Sequence, residues 1–171
     1  MTRISTTLAA LAIGAFAAQA QNPLSTELKG AYTRVKTNTI KAAEKMPDDQ
    51  YVFKATADVQ NFGQRIAHVA DANMGTCARL KGEQKSVGAG KMTTKADIVG
   101  ALKESFAYCD AVVDGMTDAD MTGMVAGRGG AQNSRLSVLY GMVAHDNEMY
   151  GYISVYMRLK GVIPPSSEPR Q

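Results

Sequence analysis

Two histidines, His68 and His145, are the residues of this 171-residue sequence best suited to chemistry at a site. An imidazole changes its charge near neutral pH and is a common ligand of transition metals. Each histidine is followed three residues later by a carboxylate, Asp71 after His68 and Glu148 after His145. In a helix this spacing places both members of a pair on adjoining surface. Metal binding by imidazole and carboxylate is therefore the first chemistry to consider.

The two histidines occupy different positions on their predicted helices. His145 is in register with apolar residues that alternate in steps of four and three, as in a buried helical seam: Val138, Met142, Met149, Ile153 or Tyr152, and Tyr156. We therefore expect His145 among core positions. His68 falls about 140° from the centre of the apolar stripe of its helix. It is either a solvated surface residue or part of a groove between helices.

Four amphipathic segments with mostly short links must position these residues. The first three are predicted over 24–46, about 59–80 after a cap at Asp58, and from a cap at Thr93 or Thr94 to about residue 116. The last covers 134–161, with Gly161 as a left-handed cap. Residues 117–133 are predicted to be irregular. Because no segment shows a convincing strand alternation, the fold class is all-α, a four-helix bundle.

The first twenty residues have the pattern of a secretory signal. Arg3 precedes an apolar stretch from Leu8 to Ala18, and the small-residue ending predicts cleavage before Gln21. The alternative is an uncleaved membrane anchor. No later stretch approaches the roughly 20 apolar residues of a spanning helix. We expect a periplasmic or secreted protein in which residues 21–171 form one bundle domain with a loose C-terminal tail.

Cys77 and Cys109 are the only two cysteines. Both lie on apolar stripes of neighbouring predicted helices, and export would let a disulfide between them persist. Such a bond, closing a loop of about 30 residues, contributes roughly 3–4 kcal/mol in the chain-entropy model. Two buried free thiols are the alternative. A cysteine metal site is less favoured because no Cys-x-x-Cys spacing is present.

Composition and motifs exclude several other classes of function. The formal net charge of +3 is too close to neutral for a nucleic-acid binder, and no basic stripe is interleaved with aromatic residues. The Gly-rich stretch 127–130 lacks the Lys-Ser or Lys-Thr ending of a phosphate loop. A carboxylate-bridged two-metal site needs Glu-x-x-His on two helices, and here each histidine comes first. The expected partner is a small molecule, with a homodimer as a further option.

Three segments of the sequence resemble the DinB-like superfamily of bacterial bundle proteins. They are FGQRIAHVADAN (62–73), HDNEMYG (145–151) and YMRLKGVIPP (156–165). The likeness extends over nearly all of residues 21–171 and is strongest in the last helix. The positions of Cys77 and Cys109 also look like those of exported members. The resemblance implies a four-helix bundle that holds a divalent metal, often zinc or nickel, through three histidines.

In that family one ligand lies on the second helix and two lie on the last, spaced His-x3-His. Matching residue by residue gives His68 and His145 as the metal ligands of this chain. The third position is Met149, which departs from the pattern. A thioether is a poor donor for hard or borderline metals. The resemblance therefore predicts a degenerate site.

Four further side chains are candidates for the pocket or for the support of the ligands: Asp71, Asn73, Glu148 and Tyr32. No independent general base is identifiable, so no catalytic residue is assigned. Three functions follow from the resemblance. They are a divalent-metal-binding bundle, a metal-free structural or small-ligand or partner-binding bundle, and a transferase whose metal lowers the pKa of a thiol substrate.

Overall fold

Four long helices form most of the part of the chain that the structure, a computed structural model, describes: residues 22–169 without the side chain of Arg128. They are α1 (Pro23–Lys45), α2 (Phe62–Leu80), α3 (Lys95–Val113) and α5 (Arg135–Leu159), with the short helix α4 (Asp118–Met121) before the last. Helix α2 packs against α3 and α5, and α1 packs against the same two helices. The expected four-helix bundle is confirmed, with α1 and α2 at opposite corners.

The start of α2 differs from the prediction. The Asn61 side chain accepts a hydrogen bond from the Gln64 N–H at 2.7 Å, and Gln64 Oε1 accepts one from the Asn61 N–H at 2.9 Å. This capping box satisfies two N–H groups that have no partner within the helix. The predicted cap, Asp58, instead accepts a hydrogen bond from the Thr56 hydroxyl. The helix therefore begins at Phe62, three residues later than predicted.

The other predicted helix ends are close to those observed. The Thr94 hydroxyl caps α3 by accepting from the Asp97 N–H at 3.2 Å, and α3 ends at Val113, three residues earlier than predicted. Ser134 caps α5. Beyond the end of α5, Gly161 has a φ of 70°, the left-handed conformation expected of it.

Residues 117–133, predicted to be irregular, contain both α4 and a small hairpin. Strands β1 (Met124–Ala126) and β2 (Gln132–Ser134) pair antiparallel. Their turn includes Gly129 and Gly130, with φ of 64° and 82°, which glycine adopts readily. The prediction was wrong here because strands of three residues are too short to show a period-two pattern. Strand β2 leads directly into α5 and fixes its start.

The C-terminal segment, predicted to be loose, is hydrogen-bonded to the bundle as far as Glu168. Residues Pro165–Ser167 form a single 3₁₀ turn. The Ser166 N–H donates to the Tyr150 hydroxyl at 2.9 Å, and Lys45 of α1 forms an ion pair with Glu168. The segment therefore links the ends of α1 and α5.

The bundle core is apolar and contains the disulfide. Its largest fully buried side chains include Phe62, Ile66, Leu102, Phe106, Leu139, Ile153 and Met157. Cys77 and Cys109, both without exposed surface, form a disulfide that joins α2 to α3 with their Cα atoms 5.4 Å apart. The expected pairing is confirmed. The Met142 sulfur of α5 lies 3.7 Å from Cys77 Sγ, so α5 packs directly on the disulfide.

The predicted signal peptide, residues 1–20, lies outside the described residues. Among residues 22–169, no helix is both long enough and apolar enough to cross a membrane.

Candidate metal and ligand site

The two histidines, 77 residues apart in sequence, meet between α2 and α5. His68 Nε2 and His145 Nε2 are 3.0 Å apart, and their ring centroids are separated by 5.0 Å. His68 is exposed, while 31% of the His145 side chain is accessible. His145 therefore lies at the edge of the α5 seam and not among core positions as predicted. In a metal-free site this distance fits a hydrogen bond in which one ring donates and the other accepts.

The buried polar residue of this turn of α5 is Asp146, whose side chain has no exposed surface. Its Oδ2 accepts a hydrogen bond from Asn73 Nδ2 of α2 at 2.9 Å. Its Oδ1 lies 3.5 Å from His145 Nδ1, longer than an ordinary hydrogen bond. Asp146 Oδ1 and Asn73 Oδ1 have no hydrogen-bond partner among the described residues. A polar chain thus runs from His68 through His145 and Asp146 to Asn73.

The surroundings shift the pKa values of the two histidines in opposite directions. Burial raises the pKa of Asp146. The Asp146 carboxylate in turn raises the pKa of His145 above its usual value. Burial, and then the charge of the neighbouring His145, lower the pKa of His68. A single proton shared by the pair is therefore held by His145, with His68 Nε2 as the acceptor.

Two of the candidate pocket carboxylates make other contacts. The Asp71 carboxylate accepts hydrogen bonds from the N–H groups of Ala89 and Gly90, at 3.0 and 2.9 Å, and so fixes the loop before α3. Glu148 is exposed and accepts a hydrogen bond from the Tyr152 hydroxyl at 3.0 Å. Neither carboxylate completes a ligand set with the histidines.

The Met149 and Tyr32 side chains are engaged in other contacts. The Met149 side chain is packed into the apolar core, with 8% of its surface exposed. The Tyr32 hydroxyl is within hydrogen-bond distance of the Phe106 carbonyl oxygen and of Asp110 Oδ1, at 3.1 and 3.0 Å, on the contact between α1 and α3. Of the predicted pocket residues, only Asn73 is connected to the histidines, and it is connected through Asp146.

The histidines stand at one end of a groove of about 420 Å³ between α2 and α5. A cavity of this size suits a small molecule. Its lining comprises the two histidines, a stripe of α2, a stripe of α5 and one residue of β2: His68, Ala72, Asn73, Thr76, Arg79, Asn133, Ser137, Val138, Gly141, Met142 and His145.

Sequence reasoning missed two residues of this site, Asp146 and Arg79. Asp146 falls in the helical seam, four residues after Met142 and three before Met149, so the period of the apolar residues could have identified it as buried. Arg79 is eleven residues after His68, three turns along the same face of α2. Nothing in the sequence distinguishes it from any other basic residue near the end of a helix.

The comparisons with known proteins agree with this architecture. The family model described as the DinB superfamily matches residues 31–153 of the chain. The chain belongs to the DinB superfamily. No curated protein matches it.

Solved structures of DinB-like proteins share the fold. One from Bacillus cereus has a TM-score of 0.71 and 17% sequence identity, covering 82% of this chain and 95% of that one. Another, YjoA from Bacillus subtilis, has a TM-score of 0.67 and 16% identity, covering 84% and 96%. At these identities the likeness shows the DinB-like fold alone.

The metal implied by the DinB resemblance fits the described residues in part. The two Nε2 atoms are closer together than twice a usual metal–nitrogen distance of about 2.0–2.1 Å, so one ion can contact both. Among residues 22–169, however, no group of three or more His, Cys, Asp or Glu side chains is placed to hold a metal ion. Among the described residues, the arrangement fits at most two imidazole contacts to one ion and not the three-histidine set that the resemblance implies.

Proposed function

We propose that this DinB-superfamily protein is a small-molecule-binding bundle whose groove holds one divalent transition metal, zinc or nickel, through His68 and His145. The observation that carries the proposal is the 3.0 Å separation of the two Nε2 atoms at the end of the groove. Imidazole nitrogen suits both metals.

Asp146 supports His145 in this role. Metal-binding histidines commonly direct their second ring nitrogen to a carboxylate, which fixes the ring orientation and raises the basicity of the ligand. His145 Nδ1 faces the buried Asp146 Oδ1, an oxygen with no other partner among the described residues. Asn73 holds the other oxygen of the same carboxylate. The buried pair therefore orients one of the two ligands.

Two protein ligands make a weaker site than the usual three. The remaining coordination positions are open to water or to a small molecule in the groove. When bound, the metal would supply Lewis-acid polarisation of such a molecule. No side chain of the groove is assigned as a general base, so the proposal is one of binding and extends to no reaction.

Metal titration of the purified mature protein tests this function. We expect about one equivalent of zinc or nickel to bind to the parent protein, and His145→Ala to weaken the affinity by about tenfold or more, as loss of ligand support commonly does. The matched control is Met149→Leu, four residues further along α5, which should leave the affinity unchanged because its side chain is packed in the core. Equal affinities of the parent and His145→Ala would contradict the proposal.

A metal-free bundle that binds a small ligand or a partner is the second candidate. The same 3.0 Å distance, with no third donor beside it among the described residues, suits a hydrogen bond between neutral imidazoles. This candidate predicts no stoichiometric metal after growth in supplemented medium. It also predicts no thermal shift when zinc, nickel or copper is added.

We further propose that the protein is exported to the periplasm or secreted. The disulfide between Cys77 and Cys109 supports this, because such bonds persist mainly outside the cytoplasm. N-terminal sequencing of the exported fraction should begin at Gln21. Recovery of the full-length chain in the membrane fraction would instead indicate an uncleaved anchor.

A further inference from the structure

The end of the groove opposite the histidines is formed by Arg79. Its Cα lies about 16 Å beyond that of His68 along α2, at a rise of 1.5 Å per residue. Helical side chains lean towards the N-terminus, which turns Arg79 back towards the histidine pair. Between the two ends the walls carry the small residues Ala72 and Gly141. The groove is therefore open along its length from the imidazoles to the guanidinium.

The charge of this groove is positive. Of the residues that the structure describes, Arg79 is the only formally charged one in the lining apart from the titratable histidines, and no carboxylate among them lines the groove. Asp71 and Glu83 are candidate counter-ions because each lines a neighbouring depression with Arg79, but Glu83 pairs with Lys81 and Lys85. The Asp71 oxygens accept from Ala89 and Gly90, and no ion pair joins Asp71 to Arg79 within 4.0 Å. Among the described residues, the Arg79 guanidinium thus has no anionic partner.

Three neutral polar side chains near Arg79 are also unpaired. Thr76, Asn133 and Ser137 line the groove, and no side-chain hydrogen bond connects any of them to another described residue. The buried serine and threonine hydroxyl groups elsewhere in the bundle donate to backbone carbonyls, as those of Thr39 and Ser154 do within their own helices. The groove therefore concentrates free donors beside an unpaired cation.

We infer that the groove binds a small organic anion whose carboxylate or phosphate group is held by Arg79 with hydrogen bonds from Thr76, Asn133 and Ser137. A planar guanidinium presents N–H donors in a fork that matches such oxyanions. The body of the molecule extends over Ala72 and Gly141 towards the histidines. The inference rests on the proposed function for the location of the ligand, and it requires no metal.

The test is an NMR titration of the EDTA-treated, metal-free protein at low salt with succinate and with glycerol 2-phosphate. We expect saturable shifts of the groove residues below about 10 mM for at least one anion. The anion with the lower dissociation constant shows whether the groove prefers a carboxylate or a phosphate group. The neutral analogue succinamide should bind at least about tenfold more weakly than succinate, because it cannot make charge-assisted hydrogen bonds.

Variants of the arginine complete the test. Arg79→Gln should weaken anion binding about tenfold or more, and Arg79→Lys should recover part of the loss because it restores the charge. The matched control, Arg34→Gln on the exposed face of α1, should change the affinity by less than about twofold. Equal binding by Arg79→Gln and the parent, equal binding of succinamide and succinate, or no saturable shift with either anion would overturn the inference.

The two proposals fail separately. His145→Ala should lose metal affinity and keep Arg79-dependent anion binding in the metal-free protein. If Arg79→Gln leaves anion binding unchanged while His145→Ala abolishes metal binding, the anion site is wrong and the metal site stands. If instead Arg79→Gln weakens anion binding while His145→Ala leaves metal binding unchanged, the anion site stands and the metal site is wrong.

Discussion

At the scale of single residues, the site depends on Asp146 as much as on the histidines. A carboxylate with no exposed surface is unfavourable unless it is paired, and Asp146 has one hydrogen bond, to Asn73, and one longer contact, to His145. These contacts make the protonation of His145 part of the stability of the core. The Nε2 atom of the exposed His68 lies 3.0 Å from that of His145, so a positive charge on His145 opposes protonation of His68.

The two histidines should titrate on opposite sides of their ordinary pKa of about 6.5. The pKa of His145 is raised by Asp146, and that of His68 is lowered by burial and by His145. The stabilising contribution of His145 is therefore fully present below about pH 6.5 and is lost as the pH rises through its folded-state pKa. The stabilising contribution of His68 is present above about pH 6.5 and is lost as the pH falls through its lowered folded-state pKa.

Because the chain has only two histidines, their ring signals can be assigned and followed by NMR from pH 5 to 9. In His145→Ala the pKa of His68 should move up, since a repulsive charge has been removed. Titration of both rings at the same pH in the parent, or an unchanged His68 in the variant, would contradict this prediction.

Met149→His should raise metal affinity by about tenfold or more, because a third imidazole one turn after His145 completes the usual ligand number. The same change places a polar ring where the Met149 side chain is 8% exposed, so we expect it to lower the free energy of unfolding by about 1–3 kcal/mol. Calorimetric titration with zinc and nickel measures the first effect and urea denaturation the second. An unaltered metal titration would count against the three-histidine geometry at this position.

The sequence predicted that the two histidines meet better than it predicted the surroundings of that pair. Periodicity left His68 at the margin of its helix, and only the family resemblance joined it to His145. Asp71 was a reasonable candidate by spacing, but spacing cannot show that the loop before α3 occupies its carboxylate. The period of α5 could have shown that Asp146 is buried, but its contact with Asn73 and the place of Arg79 in the groove depend on which helix faces which, a tertiary property that single-helix patterns do not contain.

At the scale of elements, the hairpin of β1 and β2 determines how α5 enters the bundle. The Gly127 N–H donates to the Ala131 carbonyl oxygen at 2.7 Å, which closes the turn. A Cβ at Gly127 would lie 2.3 Å from Asn133 Nδ2 and 3.1 Å from that same carbonyl oxygen. A larger residue here would have to displace the Asn133 amide, which lines the groove, and would crowd the Ala131 carbonyl oxygen, so the hairpin favours glycine at this position.

Gly127→Ala should open the hairpin, because the clash involves backbone as well as a side chain. We expect a loss of about 1–3 kcal/mol in the free energy of unfolding and faster hydrogen exchange at the amide of residue 127. The matched control is Gly30→Ala on the exposed face of α1, where a Cβ meets nothing within 4 Å. That change should raise stability by about 0.5–1 kcal/mol. Similar effects of the two substitutions would contradict the steric argument.

The long helices were predictable to within three residues at each end because their apolar positions and caps are local signals. The largest differences, three residues each, are at the start of α2 and the end of α3, and the first arose from two competing caps. Asp58 is an acceptable N-cap by type, but Asn61 and Gln64 cap reciprocally and Asp58 does not. The hairpin could not be found in this way because its strands of three residues are too short to show a period. The bound C-terminal segment could not be found because its ion pair joins residues distant in sequence.

At the scale of the whole molecule, the disulfide joins α2 to α3 through Cys77 and Cys109, which are 32 residues apart in sequence. Cys77→Ala combined with Cys109→Ala should lower the free energy of unfolding by about 3–4 kcal/mol, since the unfolded chain regains the entropy of an open loop. Urea denaturation of the double variant and of the reduced parent measures the loss. The reduced parent is the control and should show a similar decrease, whereas unchanged stability in both would contradict a structural role.

The same crosslink makes the two walls of the groove mechanically unequal. Helix α2 is covalently tied to α3, whereas α5 is joined to α2 by packing and by hydrogen bonds: Asn73–Asp146, His68–His145, and Arg135 to the Leu80 carbonyl oxygen. Met142 rests on both sulfurs of the disulfide, at 3.7 and 4.0 Å, and its unbranched thioether slides easily between rotamers. A ligand bound in the proposed groove is therefore expected to displace His145 on α5 more readily than to change the spacing of Arg79 and His68, which share one helix.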